Sequence, residues 1–199
     1  WEWSQADKAI KKGFTEEQQT RMWDASDQES VIHQMGDANF VAAQHAEGKG
    51  FASLTPQERA GIEPLHAAAK EAWDAAVAVG NVSGEGKPFY TPRMFLKAAL
   101  NADGPPPSLT QIGRNLRATS PEMKHRKHLL AEETEAAGKK ILGEDVELVR
   151  NIRALPLAIA RMRDATAGRE LINKIKEIGD RTGEPTVVDG YSPANSPFK

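Results

Sequence analysis

The feature that most constrains this chain is the way its apolar residues are punctuated. Thr55-Pro56-Gln57-Glu58 is a complete helix start. The Thr55 hydroxyl can accept from the third helical N–H, Pro56 takes the first helical position, where no N–H is needed, and Glu58 can reach back to the cap. Beyond it Leu65, Ala68, Ala69, Ala72, Trp73, Ala76 and Val77 recur at three- and four-residue spacing until Gly80, one apolar stripe closed by a glycine stop. This predicts a helix over 56–80, kinked or split at Pro64. Thr15 before Glu16-Glu17-Gln18, and Ser26 before Asp27-Gln28-Glu29, repeat the capping pattern and predict two further helix starts.

Gly80, Gly84, Gly86, Pro88 and Pro92 forbid regular helix, so 80–92 reads as a loop or extended arm. Thr91-Pro92 then predicts a short helix through Phe95 and Leu96 to Leu100. The run Asn101 to Pro107 breaks it, and Ser108 or Thr110 caps a brief helix beyond. Ser120-Pro121-Glu122 opens a helix to about Lys140. Val146, Val149, Ile152 and Leu155 fall on one helical face that Pro156 interrupts, and a long amphipathic helix follows to 180–183. The expected class is all-α, an irregular multi-helix bundle. Its parts are an N-terminal helical region, 1–100, a Gly/Pro-rich hinge, 101–119, a C-terminal helical region, 120–183, and an extended tail, 184–199. Two helical subdomains flanking the hinge are one arrangement this allows.

Composition bounds the chemistry. Hydrophobic residues are 39% and aromatics 6% of 199 residues, so the core must be built largely from Ala, Leu, Ile and Val, which suits close helix packing. A net charge of −2 gives nucleic-acid binding no support by itself. The charge is uneven, however. Residues 1–80 hold 7 Lys and Arg against 13 Asp and Glu, whereas residues 114–176 hold 14 against 9. Either a basic surface for phosphates or two amphipathic halves with different outer faces would give this pattern. There is no cysteine, hence no disulfide framework, thiolate nucleophile or Cys-ligated zinc. No apolar run is long enough to span a bilayer. The chain opens on Trp1-Glu2-Trp3 and closes on Ser196-Pro197-Phe198-Lys199, and the expectation is a segment of a longer protein.

No complete catalytic set is legible. His125 and His128 stand three apart with Glu132 one turn on, but Lys124, Arg126 and Lys127 crowd them with positive charge that opposes a cation, so a solvated basic face is expected and no metal site. His33, His45 and His66 are scattered singly, without a Gly-x-Ser-x-Gly elbow. Phosphate-binding glycine loops are missing as well. Trp1, Trp3, Trp23 and Trp73 read as core or interface anchors rather than base-stacking platforms. No cofactor is implied. If the basic region meets DNA, the candidate contacts are Lys124, Arg126, Lys127, Lys139 and Lys140. Leu171, Ile172, Ile175 and Ile178 are the candidate interface residues, unless they lie in the chain's own core.

Several stretches carry a family resemblance. Leu54-Thr55-Pro56-Gln57-Glu58-Arg59-Ala60, Gly86-Lys87-Pro88-Phe89-Tyr90-Thr91-Pro92-Arg93-Met94, Ala131-Glu132-Glu133-Thr134-Glu135, the run Val149 to Ala158, and Ile172-Asn173-Lys174-Ile175-Lys176 resemble the large polyvalent proteins of tailed bacteriophages and prophages. Some of those are internal, or ejection, proteins packaged in the virion. The similarity spans about residues 15–190 and brings no catalytic motif. It implies a structural segment stored in the virion interior and delivered to the host with the genome. The implied partners are other copies or other virion proteins, and DNA non-specifically. The alternatives are a helical accessory domain positioning nucleic acid in an injected enzyme, or a host-factor-binding protein, otherwise cytoplasmic.

Overall fold

Helix starts organise the molecule where Thr15 and Thr55 place them. The computed structural model describes residues 2–82, 89–93, 95–97, 130–142 and 146–182. The elements are α1 (Glu2–Gly13), α2 (Glu16–Met35), α3 (Ala38–Ala46), a 3-10 turn (Gly50–Ser53), α4 (Pro56–Ala78), β1 (Phe95–Lys97), α5 (Ala131–Leu142), β2 (Val146–Leu148) and α6 (Ala154–Thr182). The class is all-α, and the two short strands form a single antiparallel ribbon with Phe95 opposite Leu148 and Lys97 opposite Val146. No helix among the described residues is long and apolar enough to cross a membrane.

Both threonine boxes are closed. Thr15 N–H donates to Gln18 Oε1 at 2.9 Å and Gln18 N–H returns to Thr15 Oγ1 at 3.3 Å. Thr55 N–H donates to Glu58 Oε2 at 3.0 Å, with Pro56 in the first helical turn. α4 then runs unbroken through Pro64 and stops before Gly80, whose φ of +71° reverses the chain in a conformation that suits glycine.

The split expected at Pro64 does not occur, and three further sequence expectations need correction. Ser26 caps nothing. It lies in the middle of the 20-residue α2, because the buried Gln19, Met22 and Trp23 before it already carry the helix across that point. Phe95 and Leu96 belong to a strand rather than a short helix, and Val146 likewise lies in β2. Each three-residue segment is too short to be stable alone as helix, and pairing satisfies the backbone of both. Finally, Pro156 ends no helix. It is the third residue of α6, in the first turn, where the missing N–H has no carbonyl to bond. The hinge at 101–119, residues 120–129 of the helix expected to run from Ser120 to about Lys140, and the tail at 184–199 lie outside the described residues.

The core joins both ends of the chain. Trp23 and Met22 from α2, Ile62, Leu65, Ala69, Ala72 and Ala76 from α4, and Ile152, Leu155, Ile159 and Met162 around the start of α6 form one buried cluster. Burying these side chains gives roughly 25 cal/mol per Å² of apolar surface. Small residues let the helices approach: a Cβ on Gly61 would stand 2.7 Å from the Phe14 ring. α4 and α6 run parallel, since Glu71 pairs with Arg163 and, further along both, Asn173 Nδ2 donates to Val79 O.

Candidate functional site

The buried face of α2 carries polar groups where a helix normally carries apolar ones. Gln19, Met22, Trp23, Ser26, Asp27 and Ser30 follow three- and four-residue steps, and all are buried. A segment this polar must find partners inside the protein, because an unmatched buried polar group costs on the order of 1–3 kcal/mol. Residues 89–93 supply many of them. This extended stretch lies along successive turns of α2. Trp23 Nε1–H donates to Pro92 O at 3.3 Å, Ser26 Oγ meets Thr91 Oγ1 at 2.5 Å, and the His33 ring lies 4.8 Å from the Phe89 ring. Arg93 closes the end by forking onto Asp27 and donating Nη1–H to Leu130 O and Thr134 Oγ1, which brings α5 to the same seam. Phe89 adopts φ +53°, a left-handed conformation that is uncommon for a bulky side chain. Its ring contacts with His33, Phe51 and His66 hold it there.

The histidines that stand singly in the sequence converge. His66 from α4 places Nε2 2.8 Å from Ser26 Oγ, and the rings of Phe51 and Phe89 lie 5.5 and 5.6 Å from its own. Its Nδ1 is buried and makes no hydrogen bond among the described residues. Burial lowers the imidazole pKa from 6.5 to about 4 against the opposing pull of Glu29, so the ring is neutral near pH 7. Glu29 is itself almost fully buried. Its carboxylate accepts from His33 Nε2 at 3.0 Å, His45 Nε2 at 2.9 Å and the Phe51 backbone N–H at 2.8 Å. Gln28 Oε1 next to it accepts from Gly50 N–H at 2.8 Å. Gly50 stands at φ +59°, where a Cβ would come within 2.2 Å of Glu29 Oε2. Only glycine lets the turn approach that carboxylate.

A hydroxyl 2.8 Å from a neutral imidazole has the spacing of a nucleophile and its base. Two features set this pair apart from an activated nucleophile. Ser26 has no solvent exposure and its oxygen is also engaged by Thr91. No carboxylate among the described residues bonds His66 Nδ1 to orient the ring. Nor does any group of three His, Asp or Glu side chains among the described residues form a metal site. An open groove of about 460 Å³ along the outer side of α2 is lined by Glu17, Thr20, Arg21, Asp24, Gln28 and Ser53 among others. Arg21 there is bound to the buried Glu58. Burial pushes the Glu58 carboxyl up, but hydrogen bonds from Arg21 and Thr55 outweigh it and hold the group below its usual range.

The sequence-derived candidates separate. Lys124, Arg126 and Lys127, with His125 and His128, lie outside the described residues. Lys139 in the last turn of α5 pairs with Glu135 at 3.3 Å, and Lys140 beside it is exposed. The charge asymmetry has an internal counterpart. Arg150, Arg153 and Arg163 of the basic region pair with Asp24, Asp7 and Glu71 of the acidic one, and Arg150 also stands 5.9 Å over the Trp23 ring. On α6, Leu171, Ile172 and Ile178 are 59%, 38% and 49% exposed, and Ile175 is half-buried. The polar cluster around Glu29 and His66 was not legible, because its members stand far apart in sequence and carry no motif spacing. The one available signal was polar residues holding a helical stripe in α2. No family model, curated protein or solved structure matches the chain.

Proposed function

We propose that this chain is a structural segment of a large phage protein of the internal-virion type, stored with the genome and delivered with it. The sequence resemblance is the origin of this reading. The observation that carries it over the nucleic-acid alternative is the pairing of Arg150, Arg153 and Arg163 with Asp24, Asp7 and Glu71. These arginines close seams within the chain.

Such seams suit a protein that must open and close. Asp7–Arg153 joins α1 to the start of α6, Asp27–Arg93 joins α2 to the 89–93 segment, and Arg21–Glu58 joins α2 to α4. Opening them returns charges to water and exposes many alanines, which bury little area each. Closing them again requires the matching charge at each seam, and that favours one register. The exposed Leu171, Ile172 and Ile178 would then contact neighbouring copies or other virion proteins. Proteomic and intact-mass analysis of nuclease-treated, purified virions tests the reading. Peptides from this chain should be present at a constant copy number, within a longer parent. Their absence from virions, with the protein abundant in infected cells, overturns it.

A further inference from the structure

We infer that Glu29 is a latch: one buried carboxylate closes α3 and the Gly50–Ser53 turn onto α2, and releasing it frees both elements while the main core stays folded. The inference concerns the chain's own conformational behaviour and does not depend on the virion reading.

α3 is weakly docked. None of its nine residues is buried, and none belongs to the core cluster that joins α1, α2, α4, α5 and α6. Local propensity cannot hold so short a helix, since isolated helices under about 12 residues are marginal in water. The Asp37 cap, which accepts from Asn39 N–H and Phe40 N–H at 3.0 Å, stabilises the helix itself without docking it. Among the described residues of α3, the side chain bonded to another helix is His45, whose Nε2 lies 2.9 and 3.0 Å from the two Glu29 oxygens.

The same carboxylate takes the Phe51 N–H on Oε2. Glu29 thus holds α3 by a side chain and the turn by its backbone, and no other described carboxylate does both. His33, one turn along α2, donates to Oε1 and fixes the rotamer. Releasing the turn also carries the Phe51 ring away from His66 and Phe89. The His66 ring then loses one of its two aromatic covers and keeps Phe89. The turn covers the polar cluster at Ser26 and His66 with the Phe51 ring, α3 is tied beside it through His45, and Glu29 fastens both. α3, with no buried residue, opens locally at lower free energy than the global transition, and the turn, which also has Gly50 N–H on Gln28 and Phe51 packed on the core, opens less readily.

Amide hydrogen exchange on the whole chain tests this with two variants. Glu29→Gln keeps the side-chain shape but removes the charge that three donors share. Protection at 38–46 and 50–53 should fall by about tenfold or more, while the interior of α4 and the first half of α6 keep theirs. His45→Ala should loosen 38–46 and leave 50–53 protected, because Phe51 N–H still has its acceptor. If Glu29→Gln does not fold, His45→Ala alone decides. A loss spread evenly over all helices, or unchanged exchange at 38–46 in His45→Ala, overturns the inference. A histidine readout adds an independent arm: the His66 imidazole should titrate closer to 6.5 in Glu29→Gln than in the parent if the turn has lifted.

Discussion

Arg93 forks onto Asp27 across 66 residues of chain, Nε to Oδ1 at 3.0 Å and Nη2 to Oδ2 at 2.7 Å, with the two side chains 3% and 7% exposed. Geometry this complete offsets the large cost of removing both charges from water, and removal of one partner leaves the other uncompensated. Arg93→Ala or Asp27→Ala should therefore lower unfolding free energy by about 3–5 kcal/mol. The double change Asp27→Leu with Arg93→Met should recover much of that loss. Urea denaturation of the four proteins gives the cycle. Single variants within 1 kcal/mol of the parent would show that the seam contributes little.

The pH dependence follows from His66. Its pKa is 6.5 in the unfolded chain and about 4 in the folded one. Between those values the unfolded chain binds a proton that the folded chain refuses, so stability is full above pH 6.5 and falls as pH drops toward 4. The loss from this group is on the order of 3 kcal/mol, at 1.36 kcal/mol per unit. Stability curves at pH 7.5 and 4.5 should differ markedly in the parent and less in His66→Gln. An identical slope in the two proteins would show that His66 does not titrate with folding.

A closed capping box at Thr55 and the capping pattern at Ser26 that closes nothing permit a cleaner comparison. Thr55→Ala removes the acceptor of Glu58 N–H and should lower stability by about 1 kcal/mol. Ser26→Ala looks equivalent in sequence, but its hydroxyl serves His66 and Thr91 inside the protein. It should cost about 1–3 kcal/mol, because two buried groups lose a partner. Equal, sub-kilocalorie effects at both positions would contradict the assignment of Ser26 to the interior.

How much of this was legible is best judged at particular residues. The Thr55 start, the Leu65–Ala76 stripe and the Gly80 stop could be read directly, because cap chemistry and spacing are local. Ser26 misled because its capping pattern is genuine, and only the buried Met22 and Trp23 before it show that the helix is already running. Phe95 and Val146 look helical in the sequence because the strand each pairs with lies about 50 residues away, beyond the reach of local spacing. The cluster at Glu29 needed α2, α3, the turn and α4 assembled at once. Its histidines have no sequence relationship that predicts their meeting.

Gly50 offers a backbone test of the same cluster. Its φ is +59° and a Cβ would stand 2.2 Å from Glu29 Oε2, so alanine meets both strain and collision. Gly50→Ala should destabilise by about 1–3 kcal/mol from conformation alone, with more from displacement of the carboxylate. Gly48→Ala, at φ +74° with nothing near its Cβ, should show the conformational part only. Equal losses at the two positions would mean that the turn yields without disturbing Glu29.

The final prediction separates structural segment from nucleic-acid binder. Arg150, Arg153 and Arg163 already face acidic partners and Lys139 faces Glu135, so among the candidate DNA contacts Lys140, Lys124, Arg126 and Lys127 are the charges to test. A passing surface of this kind should hold DNA with a dissociation constant on the order of 10⁻⁴ to 10⁻⁶ M at physiological salt, without sequence preference. Arg126→Glu with Lys127→Glu should flatten the salt dependence and leave folding intact. Arg150→Glu should instead destabilise the fold, since it places like charge beside Asp24, Glu132 and Glu135. Self-association should respond to neither basic change, but should weaken in Leu171→Ser with Ile178→Ser. Titration of labelled single- and double-stranded DNA, alongside sedimentation of each variant, distinguishes the readings. Nanomolar, sequence-selective binding abolished by the Arg126 and Lys127 reversal, with sedimentation unchanged in the Leu171 and Ile178 variant, would make the accessory nucleic-acid domain the better account.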